Sequence, residues 1–366
     1  MKTNVLVLFG GRSSEHAVSR ISAGTVVRAL DPDRYGVFCV YITRQGLWRY
    51  VTCMPDQIDD SFDPASAPEA AILPGSEKPE LLIRNEREED LWREQPLDIA
   101  IPVLHGKNGE DGTIQGLFEL ARLPYVGCGV LGSAASMDKL TTKRIVRTCG
   151  IRQADYVPVF ERELKNMNEV CERVEDKLDY PVYVKPANAG SSIGVTKASN
   201  RSELVEGLHL AAENDSRILV EEAIVGREIE CAVLGNDYPK ASGVGEILAA
   251  DTFYTYEAKY HNADSRTVLD PDLPAETVEE IRKDACTIFQ AVGGSGLSRV
   301  DFFVENSTGE VVFNEINTFP GFTSISHLVN SPRNLAGALS ITITTIVIDL
   351  SRIIHATIDS TILIVP

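Results

Sequence analysis

The stretch RVDFFVENSTGEVVFNEINTFPGFTS, residues 299–324, predicts a β-hairpin with polar side chains on one face. A short polar turn, NSTGE, separates two apolar runs, which is typical of antiparallel strands. Residues two apart on a strand point to the same face, so Arg299 accompanies Asp301, and Glu315 accompanies Asn317. Pairing of the two strands brings Asp301 close to Glu315 and Asn317, and a Pro-Gly turn then ends the second strand.

Three oxygen-bearing side chains in one place predict a metal site. Proteins hold Mg²⁺ with one or a few carboxylates, while phosphate oxygens and water complete the octahedron. The alternative is a pair of edge strands with solvated acids, which is the commoner location of Asp and Glu. These acids interrupt apolar runs, which a solvated face seldom requires, so we favour a metal site formed by Asp301, Glu315 and Asn317.

Composition limits the class of protein. The 366 residues are 43% hydrophobic and 24% charged, which is typical of a soluble globular chain with two or three domains. The formal net charge of −18 argues against nucleic acid or an anionic membrane as a main partner. Seven dispersed cysteines without a C-x-x-C pair indicate reduced thiols and a cytoplasmic protein.

Neither apolar run near the ends of the sequence predicts a membrane anchor. The run NVLVLFGG meets two glycines and a polar loop, which indicates a β-strand rather than a signal peptide. The uncharged run LAGALSITITTIVI is too short to span a bilayer, and charged residues interrupt the segment after it. We therefore predict no transmembrane helix.

The first part of the chain predicts an α/β layer. The strand NVLVLFGG is followed by a helical pattern over residues 14–30, for which Ser13 or Ser14 is a suitable N-cap. Further strands are YGVFCVYIT and LDIAIPVLHG, separated by a polar, Pro-rich region from about 55 to 95. This order predicts a parallel sheet with chemistry at the carboxyl ends of its strands.

The pattern changes after a helix at 138–150, for which Gly150 is the expected C′ residue. Strands and helices are mixed from there, including a helix at 275–292 and the hairpin. This predicts two α+β lobes after the α/β lobe.

Three loops are further candidates for chemistry. VKPANAGSSIGV (184–195) can cover phosphates with its backbone N–H groups, or it is an ordinary hairpin. HGKNGEDG (105–112) suits a small polar substrate; alternatively its glycines supply positive φ and its acids cap the next helix. We favour this structural interpretation, with capping, for Glu110 and Asp111, and favour it less for His105. FYTYEAKY (253–260) is either a lid that excludes water or a surface loop.

Taken together, these motifs resemble the D-alanine–D-alanine ligases of the ATP-grasp superfamily, from LFGGRSSEHAVS to about Ser326. The landmarks, in chain order, are GGRSSEHAVS, LHGKNGEDG, MDK, VKPANAGSSIGV, EEAIVGREIECAVLG, FYTYEAKY, SRVDFF and NEINTFPGFTSIS. The resemblance implies an ATP-grasp fold behind an N-terminal Rossmann-like pre-ATP-grasp parallel sheet. The implied domains are 1–127, 128–228 for the central lobe, and 229–366 for the C-terminal lobe with a lid at about 251–266.

The resemblance also implies the reaction and the residues that serve it. Such enzymes phosphorylate the carboxylate of one D-alanine with ATP, and the amine of a second D-alanine then attacks the acyl phosphate. The product is a dipeptide for peptidoglycan. The residues implied for ATP are Lys139, Lys185, Ser192, Glu221, Ile224, Glu228 and Lys259. Two Mg²⁺ ions, with Mn²⁺ as an alternative, are implied at Asp301, Glu315 and Asn317.

The implied substrate residues lie on either side of that metal site. Glu15 would pair with the ammonium of the first D-alanine, with His105 near its carboxylate. The oxyanion would be stabilised by Arg299 and the Gly321 N–H. Ser326 would position the second D-alanine beside His327. The implied triad that locks the lid consists of Glu15, Ser191 and Tyr260.

The sequence departs from the family pattern after GFTSIS. It continues HLVNSPRNLAG, with His327 at the border of the second-substrate pocket, and the tail 328–366 is rich in β-branched residues where relatives carry a Leu-rich helix. The EAKY form favours D-alanine over D-lactate as the second substrate and excludes D-serine only in part. A binding protein without turnover is a third alternative. As in the family, we expect a homodimer through the N-terminal lobe.

Overall fold

The computed structural model describes residues 2–85, 91–248 and 266–322. Its first sheet has the order β3-β2-β1-β7, with β1 at Thr3–Gly10, β2 at Tyr35–Ile42, β3 at Trp48–Val51 and β7 at Ile99–Val103. Strand β1 runs parallel to both β2 and β7. Its residues from Val5 to Phe9 are completely buried, as expected for a parallel strand covered on both faces. The predicted parallel sheet is confirmed.

Helix α1, His16–Ala29, follows β1 but does not begin as predicted. Its N-cap residue is Glu15, and no side chain caps it. Ser13 instead donates its hydroxyl to the His105 carbonyl at 2.8 Å and accepts the Glu15 N–H at 3.2 Å. The prediction of Ser13 or Ser14 as the N-cap is therefore wrong, because Ser13 ties the start of the helix to the loop after β7.

The Pro-rich region contains structure that the sequence did not predict. A small antiparallel sheet has the order β4-β5-β6, with β4 at Ala70–Ile72, β5 at Glu80–Arg84 and β6 at Trp92–Pro96. Two short 3₁₀ helices, Pro55–Gln57 and Pro64–Ser66, precede it. The small sheet packs on the first one, since Leu81 and Ile83 join the cluster that contains Leu6 and Leu8.

Three helices connect the first sheet to the second: α2 at Thr113–Ala121, α3 at Val130–Met137 and α4 at Lys139–Thr148. Asp138 caps α4 by accepting the Thr141 N–H at 2.7 Å. Gly150 has φ +73°, which confirms it as the residue that ends this helix.

The second sheet is antiparallel, with the order β10-β9-β11-β8. Its strands are β8 at Tyr156–Phe160, β9 at Val182–Pro186, β10 at Thr196–Ala198 and β11 at Arg217–Glu222. The apolar core of this sheet includes residues of α5, Met167–Glu175, and α6, Arg201–Ala212; a 3₁₀ helix spans Glu161–Asn166. The predicted sequence of strand, Gly-Ser loop and strand is confirmed by β9 and β10.

The third sheet, also antiparallel, has the order β14-β13-β12-β15-β16. Its strands are β12 at Gly226–Gly235, β13 at Lys240–Leu248, β14 at Arg266–Leu269, β15 at Gly296–Glu305 and β16 at Val311–Asn317. Helix α7, Ala275–Ala291, buries Ile288 and Phe289 in the same core as Phe302 and Phe313. Strands β15 and β16 form the predicted hairpin, with Asp301 opposite Glu315.

Several predictions concern residues outside the described ranges. The lid segment 251–265, with Lys259 and Tyr260, is one such segment. The stretch from residue 323 onward, with Ser326, His327 and the tail 328–366, is another. Among the described residues, no helix is both long and apolar enough to cross a membrane. The division into three domains stays a prediction.

Candidate active site

Two adjoining cavities lie where the sheets meet. The Glu15 cavity is lined by residues that include Glu15, Arg299 and Gly321. The Lys185 cavity lies between the second and third sheets. Lys139, Ala189, Ser191, Ile247 and Glu315 line both cavities, so the two share a wall.

Glu15 meets the Gly-Ser loop at this junction. The Ser191 hydroxyl donates a hydrogen bond to Glu15 Oε1 at 2.5 Å. Ser191 and Ser192 have φ of +50° and +58°, so this loop holds two non-glycine residues in the left-handed region. A Cβ at position 190 would lie 2.7 Å from Glu15 Oε2, so any other residue here would force the carboxylate or the loop to move. Two of the three predicted triad residues are therefore in contact, and the third, Tyr260, lies outside the described residues.

The hairpin places the predicted metal residues together. Asp301 lies opposite Glu315, and Arg299 lies opposite Asn317. Arg299 donates to both carboxylate oxygens of Asp301, at 2.7 and 2.6 Å. The Asn317 amide donates to Asp301 Oδ2 at 3.0 Å, and Lys139 Nζ lies 3.6 Å from Glu315 Oε2.

A further acid, Glu230, belongs to this cluster and was not singled out from the sequence. It lies opposite Asp301 on the neighbouring strand β12, and its Oε1 is 3.1 Å from Arg299 Nε. The signal was available, because Glu230 interrupts the apolar strand EIECAVLG as Asp301 interrupts its own strand.

The donor set fits a divalent cation that also has ligands outside the protein. Burial raises the pKa of Asp301 to about 7; Arg299 opposes the rise, and Glu230 and Glu315 add to it. The acids of this cluster also outnumber its cations, Arg299 and Lys139. Within the described ranges, no three His, Cys, Asp or Glu side chains form a metal site by themselves. Two carboxylates and an amide that need phosphate oxygens to complete the shell match the way proteins use Mg²⁺.

The Lys185 cavity is organised around a buried carboxylate. Glu221 is the residue predicted to hold adenine and ribose. Its Oε1 forms an ion pair with Lys185, and its Oε2 lies 3.1 Å from Lys143 Nζ. Burial opposes ionisation, but the two lysines together lower the pKa of Glu221 to about 2. Burial also lowers the pKa of Lys143, while Glu221 raises that of Lys185 in spite of its burial.

Lys143 is a second residue that sequence reasoning missed. It is almost fully buried, and it is four residues after Lys139 on α4, so both lysines lie on the same helix face and line the Lys185 cavity. That i, i+4 spacing was the available signal. Lys139 itself donates to the Ala189 carbonyl at 2.7 Å, which ties α4 to the Gly-Ser loop.

The remaining residues predicted for ATP that the structure describes line the same cavity. They are Ser192, Ile224 and Glu228. Arg227 and Phe303, which lie on strands of the third sheet, also line this cavity. The cavity is thus bounded by lysines of α4 and β9 on one side and by a mixed apolar and charged wall at the third sheet on the other.

The loop after β7 contains two acids with different roles. Asp111 accepts the N–H groups of Asn108 and Thr113, at 2.8 and 3.0 Å, and so closes its own loop at the start of α2. Glu110 does not cap the helix, so that prediction is wrong. Its two oxygens accept the N–H groups of Gly106 at 2.8 Å and Phe319 at 3.0 Å.

His105 lines the Glu15 cavity with both ring nitrogens already engaged. Its Nδ1 is 3.0 Å from the Phe319 carbonyl oxygen, and its Nε2 is 3.1 Å from Ser22 Oγ. Burial lowers the pKa of His105, so the ring is neutral near pH 7. Gly321, predicted as an oxyanion donor, lines the same cavity two residues after Phe319.

Family models match most of the chain. The model described as D-ala D-ala ligase N-terminus matches residues 4–128, and the one described as D-ala D-ala ligase C-terminus matches residues 145–348. The match therefore continues beyond Ser326, the limit of the resemblance drawn from the motifs. D-alanine–D-alanine ligases of Ruminiclostridium cellulolyticum and Acetivibrio thermocellus are each 48% identical, with 89% of each chain covered.

Solved structures give the same result. The VanG D-Ala:D-Ser ligase from Enterococcus faecalis aligns with a TM-score of 0.82 and 35% identity over 97% of this chain and 100% of that one. The D-alanine-D-alanine ligase from Coxiella burnetii aligns with a TM-score of 0.80 and 33% identity over 98% and 94%. The chain therefore has the ATP-grasp fold and belongs to the D-alanine–D-alanine ligase family.

Proposed function

We propose that the protein joins two D-alanine molecules into a dipeptide for peptidoglycan, consuming ATP and releasing ADP and phosphate. The observation that carries this proposal is the wall shared by the two cavities. A nucleotide in the Lys185 cavity and a small amino acid in the Glu15 cavity would meet at Lys139, Ser191 and Glu315. That arrangement suits transfer of a phosphoryl group from one ligand to the carboxylate of the other.

The first D-alanine would occupy the Glu15 cavity. The Glu15 carboxylate, oriented by Ser191, is the acceptor for its ammonium group. His105 would lie near the carboxylate of this D-alanine without binding it through a ring nitrogen, because Phe319 and Ser22 already engage both. The ring instead forms part of the cavity wall.

ATP would occupy the Lys185 cavity. Lys139, Lys185 and the Gly-Ser loop with Ser192 would contact its phosphates, as loops rich in backbone donors do. Adenine and ribose would lie against Ile224 and Glu228, beside Glu221. Lys259, on the predicted lid, would reach the transferred phosphate.

Two Mg²⁺ ions would be held by Asp301, Glu315 and Asn317, with Mn²⁺ as an alternative. When bound, they neutralise charge on the phosphate oxygens. The reacting carbon would face Arg299 and the Gly321 N–H from the same cavity. Each well-placed donor of this kind stabilises a developing oxyanion by about 3 kcal/mol.

The second amino acid decides the product. We propose D-alanine, positioned by Ser326 next to His327, and the related D-alanine–D-alanine ligases support this choice. D-Serine is the second candidate, because a solved D-Ala:D-Ser ligase aligns over nearly the whole chain. We further propose that the protein is a cytoplasmic homodimer whose partners are small molecules, with no nucleic acid or membrane among them.

A panel of second substrates tests this function. The purified protein is given ATP, Mg²⁺ and D-alanine, alone or with D-serine or D-lactate; phosphate release is measured, and products are identified by mass. We expect D-alanyl-D-alanine as the main product. D-Alanyl-D-serine alone would replace the first candidate with the second, and no turnover with any pair would leave a binding protein. Repeating the panel with His327→Leu tests the border of the second-substrate pocket.

A further inference from the structure

The turn that carries Gly321 is held by hydrogen bonds from helix α1 and from the loop after β7. The Phe319 N–H donates to Glu110 Oε1 at 3.0 Å, and the Phe322 N–H donates to Ser22 Oγ at 3.0 Å. His105 contacts the Phe319 carbonyl oxygen at 3.0 Å. These bonds bracket Pro320 and Gly321, and Pro320 has no N–H of its own to anchor the turn.

The bonds form one chain with fixed donors and acceptors. The Phe319 carbonyl only accepts, so His105 carries its proton on Nδ1, and its Nε2 accepts from the Ser22 hydroxyl. That hydroxyl oxygen in turn accepts the Phe322 N–H. Ser22 is completely buried, so water does not compete for these bonds.

Glu110 is the other end of this chain. One of its oxygens accepts the Gly106 N–H within its own loop, and the other accepts the Phe319 N–H. It therefore joins the loop after β7 to the turn after β16, which are 209 residues apart in sequence. Either protonation state of the carboxyl leaves acceptor capacity on both oxygens, whereas the nitrogen of an amide has none.

We propose that Glu110 is a positioning residue for the ligation step, because its bond to Phe319 fixes the turn that presents the Gly321 N–H to the Glu15 cavity. This inference rests on the proposed function. An oxyanion donor works only when it is held within a few tenths of an ångström of the place where charge develops. Formation of the acyl phosphate would depend on Glu15, Lys139, Lys185 and the metal residues, whereas the hydrogen-bond partners of Glu110 are the Gly106 and Phe319 N–H groups.

The substitution Glu110→Gln tests this, because the amide retains only one acceptor for two N–H donors. Two rates are measured. Oxygen-18 exchange between the bridging and non-bridging positions of ATP, with D-alanine as first substrate, reports acyl phosphate formation, and dipeptide synthesis reports ligation. We expect exchange within about twofold of wild type, while the dipeptide kcat falls about ten- to hundredfold.

Asp111→Asn is the matched control. Asp111 also accepts two backbone N–H bonds, but both come from its own loop. The ratio of dipeptide synthesis to oxygen-18 exchange should therefore stay at the wild-type value. Ser22→Ala releases the other end of the turn and should lower the ratio of dipeptide synthesis to oxygen-18 exchange. This variant tests the proposal if Glu110→Gln does not fold.

An unchanged dipeptide rate in Glu110→Gln, or an equal fall in both rates, would overturn the positioning role. If only Ser22→Ala folds, either of these two results in that variant would overturn the positioning role. Wild-type protein that makes acyl phosphate but no dipeptide with any second substrate would refute the proposed function, and the positioning role with it.

Discussion

Ser191 and Glu15 are 176 residues apart in the chain, and the serine hydroxyl donates to the carboxylate across 2.5 Å. The bond joins the Gly-Ser loop of the second sheet to the start of α1 at the edge of the first. A loop expected to cover phosphates is thus tied to a carboxylate expected to bind the substrate ammonium. We therefore expect closure over one ligand and orientation of the other to be coupled.

Ser191→Ala should weaken use of the first D-alanine. A hydrogen bond to a charged group contributes about 1.5–3 kcal/mol, so kcat/KM for D-alanine should fall about ten- to hundredfold. Steady-state kinetics with D-alanine varied at saturating ATP measures this. Ser192→Ala is the comparison, because its change should appear in KM for ATP; the same D-alanine defect in both variants would contradict the Ser191–Glu15 assignment.

Gly190→Ala should displace Glu15. The added methyl group would lie 2.7 Å from Glu15 Oε2 and force the carboxylate or the loop to move. We expect loss of most ligase activity, measured as dipeptide formation. Gly116→Ala, on α2 with nothing within 4 Å, is the control; it should raise the free energy of unfolding by about 0.5–1 kcal/mol and keep activity. Normal kinetics in Gly190→Ala would show that this contact is not required.

Glu315→Gln should abolish turnover and leave the fold intact. The substitution removes a charge from the proposed metal site without changing side-chain volume, and Glu315 is not part of the apolar core. Phosphate release and thermal unfolding measure the two effects. Glu310→Gln, an exposed acid on the same hairpin paired with Arg152, should keep normal turnover. Near-normal activity in Glu315→Gln would count decisively against the metal assignment.

Glu221→Gln should change how stability depends on pH. The pKa of Glu221 is about 2 in the folded protein against an ordinary value of 4.5. Its ionisation therefore stabilises the fold above about pH 4.5, and that contribution is lost as pH falls toward 2. A shift of this size corresponds to at most about 3 kcal/mol.

Denaturant unfolding at several pH values between 7 and 3 measures this contribution. The variant should be less stable than wild type at pH 7, and the difference should narrow as pH falls. Glu206→Gln, an exposed acid on α6, should follow the wild-type curve throughout. A difference between Glu221→Gln and wild type that does not change with pH would mean that the two lysines do not stabilise the ionised carboxylate.

Local pattern was sufficient to predict the hairpin, because alternation fixes which side chains share a face. The register was not predictable in the same way, because the pairing shifts by one residue between Phe302 and Asp301. Asp301 lies close to Glu315 as expected, and the shift places the two residues directly opposite each other. The small sheet β4-β5-β6 was missed because its strands are only three to five residues long and lie among prolines and charges. Such strands are recognisable only through the surface on which they pack.

The role of Glu110 was mispredicted for a different reason. Its sequence neighbours indicate a helix cap, and its partner Phe319 is 209 residues away, so no local pattern connects them. Lys143 and Glu230 could have been found, since a lysine one turn from Lys139 and an acid inside an apolar strand are both local signals. Long-range partners of polar groups are what a sequence pattern leaves out.

The pairing of Glu221 with Lys143 and Lys185 has a consequence for the resting protein. The two ammonium groups would repel each other in this buried site, but the carboxylate between them neutralises that repulsion. Lys185 is thus kept extended toward the cavity by an internal counter-ion. We therefore expect an arriving nucleotide to meet a wall whose lysines are already held in place.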